Sequence, residues 1–390
     1  MFDLSSSSSK GSVPIWSFSL PHHAGLVLAH PDRPNLFILN HSAAFLWSLT
    51  QQHGLGQPDQ LADLYASHFG LANSQAAADV NATLQHWSHT LFAPYSTPTL
   101  VPTTPSVPPP TSALFQADYS LGATSFRLVA YDPDFVAEIR PRLAHLTVTA
   151  VHPSQYTFHI FRSPHDRLYW VVCGEATLGA ESDLSVARTI LLQEMARLAH
   201  HPNTQWLAIL HAAAVASPQT GHSLILPAAT NSGKSTLTAA LLHSGLHLLS
   251  DDSAALDQSS GHLIPLPFAL MLREGSWPIL TPYFPELAAT PTHYHHGSNP
   301  VRFLPPPNPS GPALPRAIVF ANYRPNAQTH LEPLNTLETL YALQKSGFWL
   351  PHTESHIAAF LSWLQSLPTY QLTYSDLSSA VPVIHCLCSQ

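Results

Sequence analysis

The apolar positions of the first 93 residues follow two different periods. Short runs with alternating apolar residues come first and predict three strands, at 15–20, 25–28 and 35–39. Apolar residues three and four positions apart come next and predict three helices, over 43–49, from about 58 to 69, and over 74–92. Asn40 and Ser42 are side chains that favour the start of the first helix. The pattern predicts a small α+β module of winged-helix type.

The pattern changes twice along the rest of the chain. Prolines crowd residues 94–112, which is typical of a semi-extended linker with little to pack. Beyond it, apolar runs separated by helical periods indicate an α/β body. Its predicted strands cover 119–129, 156–161, 168–173, 206–215, 223–226, 246–250, 314–320 and 370–374, and its predicted helices cover 184–200, 237–242, 337–343 and 357–364.

These changes predict three parts: a module over 12–93, a linker over 94–112 and a larger domain over 113–390. Within the larger domain, 113–204 is an accessory part and 205–390 is the core that carries the candidate chemistry. A chain of 390 residues is long enough for two or three domains.

Composition narrows the classes of partner. The formal charge is −8 and only 10% of residues are charged, which argues against nucleic acid as the partner, because that affinity comes largely from Lys and Arg. The apolar runs are too short for a membrane span, so no membrane partner is expected. The N-terminal residues lack a secretory signal pattern, and three cysteines make no disulfide framework. We expect a cytoplasmic protein, in a compartment that supplies ATP.

One segment carries the strongest chemical signal. The apolar run 223–226 leads into Pro227-Ala-Ala-Thr-Asn-Ser-Gly-Lys-Ser-Thr236, and helix-forming residues follow. Strand, tight loop and helix start are the context of a phosphate-binding loop, whose backbone N–H groups surround a polyphosphate. Lys234, one of three lysines in the chain, would reach the outer phosphates of ATP, and the Ser235 hydroxyl would bind Mg²⁺. The other predicted nucleotide contacts are Ala228, Asn231, Ser232, Gly233 and Thr236.

One position of this loop departs from the usual pattern. The usual pattern has glycine where this chain has Ala228, so an ordinary loop before an ordinary helix is the alternative.

A second chemical signal follows the next predicted strand, which ends at Asp251-Asp252. A phosphate loop needs a carboxylate at a neighbouring strand end to hold Mg²⁺, and a second carboxylate can serve as a base. A simple acidic turn is the alternative for this pair.

Residues 115–385 resemble the HPr kinase/phosphorylase superfamily, and the stretch 205–257 is the most specific part of the resemblance. The matching residues are His211-Ala-Ala-Ala-Val215 before the loop and the aspartate pair after it. The resemblance implies that His211 lies near the γ-phosphate, with Lys234 and Ser235 serving nucleotide and Mg²⁺. It also implies that Asp251 serves the metal and Asp252 the acceptor hydroxyl. The glycine-rich segment that accompanies reverse phosphorolysis in HPr kinases is not found in the sequence.

Cationic clamps beyond the loop lysine assist phosphoryl transfer. Arg273 and Arg302 are the candidates in this chain, and salt bridges or surface positions are their alternative roles.

Residues 12–93 resemble the PqqD family of peptide-recognition modules. The matching phrases are Leu39-Asn-His-Ser-Ala-Ala-Phe-Leu-Trp47, the helix from Gln60 to Tyr65, and Ala78-Asp-Val80. The resemblance implies that a leader peptide adds as a strand beside the third strand and against the last helix. The candidate contacts are Leu36, Phe37, Ile38, Val80, Leu84 and Trp87, for which a core position is the alternative.

The expected function is an ATP- and Mg²⁺-dependent kinase for a Ser or Thr hydroxyl of a ribosomally made precursor peptide, whose leader the first module captures. A kinase for a small hydroxyl compound and a nucleotide-gated peptide-binding protein are the alternatives. The sequence leaves the oligomeric state open, a homo-oligomer included.

Overall fold

The computed structural model describes residues 15–33, 35–93, 109–121, 124–149, 153–200, 205–227, 232–295, 299–307 and 310–389. Most of the predicted linker, residues 94–108, lies outside them. The chain divides into two compact units. Unit 1 comprises Met1–Thr97, Asn335–Tyr341 and Pro351–Gln365, and unit 2 comprises Pro98–Leu334, Ala342–Leu350 and Ser366–Gln390. The larger domain predicted from the sequence covers all of 113–390, whereas two of its C-terminal segments belong to the first unit.

Unit 1 begins with the three strands and three helices that the periodicity predicts. They are β1 (Trp16–Ser19), β2 (Gly25–Ala29), β3 (Leu36–Asn40), α1 (His41–His53), α2 (Pro58–Phe69) and α3 (Asn73–His89). The strands form an antiparallel sheet in the order β1-β2-β3. Asn40 begins α1 as expected, since its side-chain oxygen accepts a hydrogen bond of 2.9 Å from the Ala43 N–H.

One face of this sheet and the three helices enclose an apolar core. Its fully or nearly fully buried members include Leu28, Leu39, Leu46, Trp47, Leu61, Tyr65, Val80, Trp87 and Leu91. The indole rings of Trp47 and Trp87 meet edge to face, with centroids 5.8 Å apart. Strand alternation places Phe37 and Leu39 toward this core and Leu36 and Ile38 on the other face of β3.

The first part of unit 2 is a mixed sheet with two helices. Its elements are β4 (Phe115–Leu121), β5 (Thr124–Ala130), α4 (Pro133–Leu143), β6 (Thr147–Val148), β7 (Tyr156–Arg162), β8 (Tyr169–Cys173), β9 (Ala176–Glu181) and α5 (Leu184–His200). The strand order is β6-β4-β5-β7-β8-β9. The prediction of one strand over 119–129 was wrong, because β4 and β5 form a hairpin in which Leu121 pairs with Thr124. Gly122 is the hairpin signal that the apolar alternation concealed.

The remaining strands and helices follow in chain order. They are β10 (Trp206–Leu210), β11 (Ala212–Ala216), β12 (His222–Pro227), α6 (Lys234–His243), β13 (His247–Ser250), β14 (Ala254–Asp257), β15 (Leu263–Ile264), β16 (Leu270–Arg273), α7 (Trp277–Leu280), β17 (His293–His295), β18 (Asn299–Leu304), β19 (Leu314–Tyr323), β20 (His330–Pro333), α8 (Thr336–Ser346), β21 (Phe348–Trp349), α9 (Glu354–Gln365), β22 (Thr369–Tyr374) and α10 (Leu377–Ser389).

The central sheet of unit 2 has the order β13-β11-β12-β19-β22-β20. Strands β12, β19 and β22 run parallel to one another, so their carboxyl ends meet at one edge. Helix α6, which follows β12, buries its apolar side chains in a core shared with α10 and this sheet. Two smaller sheets have the orders β15-β14-β10-β21 and β16-β18-β17.

The apolar run 206–215 is two strands rather than one. Strand β10 pairs with β14 and β21, whereas β11 pairs with β12 and β13 in the central sheet. The chain changes sheets at His211, whose backbone N–H donates to the Gly347 carbonyl at 2.9 Å. The prediction of one strand over 206–215 was therefore wrong. Both β11 and β12 lie between the histidine and the loop.

Candidate functional site

The predicted phosphate loop leads into the N-terminus of α6. Residues 228–231, including the predicted contacts Ala228 and Asn231, lie outside the described residues. Helix α6 begins at Lys234, and Gly233 precedes it with a φ of 90° in the left-handed region. Since Leu237 N–H donates to the Gly233 carbonyl, the N–H groups of Lys234, Ser235 and Thr236 have no acceptor within the helix. These donors and the helix dipole favour an anion at this position.

Three predicted site residues come together beside that helix start. Lys234 Nζ lies 3.1 Å from Asp252 Oδ1, and His211 Nδ1 lies 3.4 Å from the same oxygen. The lysine side chain is mostly buried, whereas the aspartate and histidine side chains are 44% and 42% exposed. The cluster can therefore bring a cation, a carboxylate and an imidazole into contact with one bound molecule.

The charges of this cluster set the protonation of Asp252. Burial by itself raises the pKa of a carboxyl group, but the positive charges of Lys234 and Arg142, and of His211 when it is protonated, outweigh it and hold the pKa of Asp252 well below its usual value. Burial lowers the pKa of His211, against the attraction of Asp252. At neutral pH the site thus contains an ionised Asp252 beside a neutral imidazole.

Asp251 has a contrasting environment. Its side chain is buried, and burial raises its pKa despite the nearby Lys234. Its Oδ2 accepts a hydrogen bond from the Met271 N–H at 3.1 Å, whereas its Oδ1 is buried and has no hydrogen-bond partner among the described residues. Adjacent carboxylates with opposite pKa shifts are suited to different roles.

Arg142 of α4 is a charged residue near the aspartates that the sequence analysis missed. It is 4% exposed, and it borders a cavity of about 30 Å³ together with Asp251, Asp252, Ser250 and Arg188. Its guanidinium lies 5.2 Å from the centre of the Phe303 ring. Burial and the charge of Arg188 lower the pKa of Arg142 to about 10, so it stays charged at neutral pH. No sequence motif marks it, since α4 itself was not predicted.

The two predicted arginine clamps have different surroundings. Arg273 is exposed at the end of β16. Arg302 already has protein partners, because it donates to the Leu287 carbonyl at 2.7 Å and its guanidinium lies 4.1 Å from the centre of the Trp277 ring. A phosphate-binding role for either residue stays a prediction.

Two tyrosines beside the loop were also missed. Tyr374 Oη donates to the Gly233 carbonyl at 3.3 Å, and the Tyr323 N–H donates to the Ser232 carbonyl at 3.1 Å. They end β22 and β19, the strands parallel to β12. Ligands of α/β proteins bind at the carboxyl ends of such strands, so strand ends were a usable signal.

In unit 1 the outer edge of β3 has no neighbouring strand among the described residues. Tyr341 Oη, from the C-terminal segment of the unit, donates to the Ile38 carbonyl at 3.3 Å. The Ile38 carbonyl is thus an acceptor that a group outside the sheet can reach, as an added strand would need. One acceptor of this edge is therefore already occupied.

Residues 25–89 match the PqqD family, described as coenzyme PQQ synthesis protein D. The N-terminal module is PqqD-like. The match runs from the start of β2 to the end of α3, which confirms the resemblance inferred from the sequence for this module. The chain matches no curated protein. The resemblance of the larger part to HPr kinases stays a prediction.

The six predicted peptide contacts of the PqqD-like module fall into two groups. Val80 and Trp87 are core residues with 1% and 3% exposure, and Leu36 is also buried. Phe37, Ile38 and Leu84 keep part of their surface exposed. A peptide role for the six residues stays a prediction, and only the second group offers side-chain surface for it.

The described helices include none that is both long and apolar enough to cross a membrane.

Proposed function

We propose that this chain is an ATP-dependent kinase that modifies a ribosomally made precursor peptide. The phosphoryl group would pass to a Ser or Thr hydroxyl of the peptide, whose leader the PqqD-like module would capture. The observation that carries the proposal is the cluster of Lys234, Asp252 and His211 at the N-terminus of α6. The peptide as substrate rests on the PqqD match, because that family serves peptide modification.

The nucleotide phosphates would bind at the start of α6. The N–H groups of Lys234, Ser235 and Thr236 are available donors there, and no acidic side chain in the first turn repels an anion. Lys234 Nζ would then exchange its contact with Asp252 for the outer phosphates. That contact already restricts the lysine side chain, so nucleotide binding would cost little additional side-chain conformational entropy.

Mg²⁺ would be held by oxygens around this helix start. The described residues contain no group of three or more His, Cys, Asp or Glu side chains that could hold a metal. Mg²⁺ usually uses one or two protein oxygens and completes its coordination with phosphate and water. The Ser235 hydroxyl and the Oδ1 of Asp251, which has no hydrogen-bond partner among the described residues, are such oxygens. A bound Mg²⁺ would neutralise charge on the phosphates.

Asp252 would direct the acceptor hydroxyl. The hydroxyl oxygen attacks the γ-phosphorus, the bond to the oxygen bridging the β- and γ-phosphates breaks, and the hydroxyl proton passes to Asp252. ADP leaves with the bond electrons. A carboxylate with a lowered pKa can perform this step, because proton transfer occurs late in a loose phosphoryl-transfer transition state and positioning dominates. His211 would hold the carboxylate in orientation.

Peptide capture would use the outer edge of β3. A peptide strand added there needs the Ile38 carbonyl, which Tyr341 now occupies. Binding would therefore release the tyrosine hydroxyl from the edge.

The full chain with Mg²⁺ and radiolabelled ATP tests the proposal, with the short peptides encoded beside its gene as acceptors. We expect label on one of them, with Asp252→Asn and Lys234→Ala abolishing transfer. Asp257→Asn is the matched control, since the Asp257 carboxylate at the end of β14 accepts hydrogen bonds from Ser259 and Ser260 instead. Transfer to a small hydroxyl compound alone would remove the peptide from the proposal. Tight ATP binding without any transfer would favour a nucleotide-gated binding protein.

A further inference from the structure

The geometry of the central sheet indicates where the rest of a bound nucleotide would extend. Asp251 and Asp252 follow β13, which lies on one side of the loop strand β12. Lys234 Nζ points toward that side, because it contacts Asp252. If the outer phosphates lie there, the nucleoside extends across the opposite side, over the carboxyl ends of β19 and β22.

Tyr323 is the aromatic residue that β19 presents at this edge. Its side chain is 44% exposed, which is unusual for an aromatic group in a buried parallel strand. The five preceding residues of the strand, up to Asn322, are buried or half-buried. A Cβ placed on Gly233 would lie 3.1 Å from the Tyr323 Cβ, so the Tyr323 side chain packs directly against the glycine that precedes α6.

The ring of Tyr323 is held in place by its neighbours. It meets the Tyr374 ring edge to face, with centroids 5.9 Å apart. Tyr374 is itself 2% exposed and is tied to the Gly233 carbonyl through its hydroxyl. The Tyr323 backbone is fixed to Ser232 as well. An exposed aromatic ring on a fixed backbone can stack on a flat ligand with little loss of side-chain entropy.

We propose that Tyr323 is the stacking residue for the base of the nucleotide whose phosphates bind at the start of α6. The inference rests on the proposed nucleotide-binding function and adds the site of the base to it. The ligand class is a nucleoside triphosphate, and the contact selects for an aromatic base without hydrogen-bond readout. Because every base has an aromatic face, Tyr323 alone would not separate ATP from GTP.

Inorganic tripolyphosphate separates the two binding contributions, because it has the phosphates of ATP and no base. Binding of Mg²⁺-ATP and Mg²⁺-tripolyphosphate to the full chain is measured by titration calorimetry, for the wild type, Tyr323→Ala and Tyr323→Phe. We expect Tyr323→Ala to weaken ATP binding by about 10- to 100-fold, as for loss of one base–aromatic stack, and to leave tripolyphosphate within about twofold. Tyr323→Phe should bind ATP like the wild type.

Tyr294→Ala is the matched control, since Tyr294 is another exposed tyrosine, in β17, and it should change neither ligand. Equal losses for ATP and tripolyphosphate in Tyr323→Ala would overturn the inference and indicate a disturbed loop. Unchanged ATP binding would overturn it too. If the wild type binds tripolyphosphate as tightly as ATP, the proposed base contact is refuted, whereas the proposed phosphate site is not. A wild type that binds neither refutes the proposed nucleotide binding as well.

Discussion

Gly233→Ala is a sharp test of the structure at the start of α6. Gly233 has a φ of 90°, and a Cβ there would lie 2.5 Å from the Tyr374 hydroxyl and 3.1 Å from the Tyr323 Cβ. The left-handed backbone costs an L-residue about 1–2 kcal/mol. Overpacking against the buried tyrosine adds about 1–3 kcal/mol. We therefore expect a loss of about 2–5 kcal/mol in the free energy of unfolding.

Gly221→Ala is the matched control for the backbone contribution. Gly221 also has a positive φ, of 71°, but apart from its two chain neighbours no heavy atom of the described residues lies within 4 Å of the position where its Cβ would be. It should lose only the conformational part, about 1–2 kcal/mol. Urea unfolding of the full chain, followed by circular dichroism, measures both losses. The difference between the two variants isolates the contact with Tyr374 and Tyr323.

The double variant Gly233→Ala/Tyr374→Phe tests which atom causes the difference. Tyr374→Phe removes the nearest atom and also a hydrogen bond to the Gly233 carbonyl, whose net contribution is about 0.5–1.5 kcal/mol. In the phenylalanine background we expect Gly233→Ala to cost less than in the wild type. The reasoning fails if Gly233→Ala costs no more than Gly221→Ala, or if the phenylalanine background leaves its cost unchanged.

Three further predictions concern other parts of the chain. Arg188→Met should cost about 3–5 kcal/mol, because it removes the positive charge that contacts the buried Glu138 carboxylate at 2.5 Å. Arg188→Met/Glu138→Leu should cost less in the same urea assay, and a larger loss would contradict this. Burial lowers the pKa of His145, so as the pH falls the imidazole is protonated in the unfolded chain before it is protonated in the folded one, and the free energy of unfolding decreases below about pH 6.5. Between about pH 7.5 and 5.5, His145→Gln should lose less stability than the wild type. An equal loss would exclude this contribution. Tyr341→Phe should tighten binding of a fluorescent precursor peptide by up to about tenfold, because one hydrogen bond of about 0.5–1.5 kcal/mol at Ile38 no longer has to break. Fluorescence anisotropy measures this affinity. Weaker binding would mean that the peptide binds elsewhere.

Local patterns predicted the elements of the PqqD-like module closely. Its strands and helices have period-two and three-and-four spacing, and Asn40 marks the helix start in both sequence and structure. The same holds for β12 and α6, which flank the loop. In each case the interactions that determine the strand or helix join residues a few positions apart, so a short stretch of sequence is enough to predict it.

The predictions failed where a residue's neighbours in sequence and in space differ. The apolar run around His211 looked continuous, but its two halves belong to different sheets. Only the pairing with distant strands reveals the break. The C-terminal segments of unit 1 were missed for the same reason, because their helical pattern does not say which part of the chain they contact.

The sequence by itself determined which side chains could carry chemistry: a lysine after a glycine, a pair of aspartates and a histidine upstream. The tertiary structure decided their arrangement, with Asp252 between Lys234 and His211 and with Asp251 turned into a buried cavity beside Arg142. The physical reason is that pKa values and contacts depend on burial and on distances between atoms far apart in the chain. Residue type and local spacing do not contain those quantities.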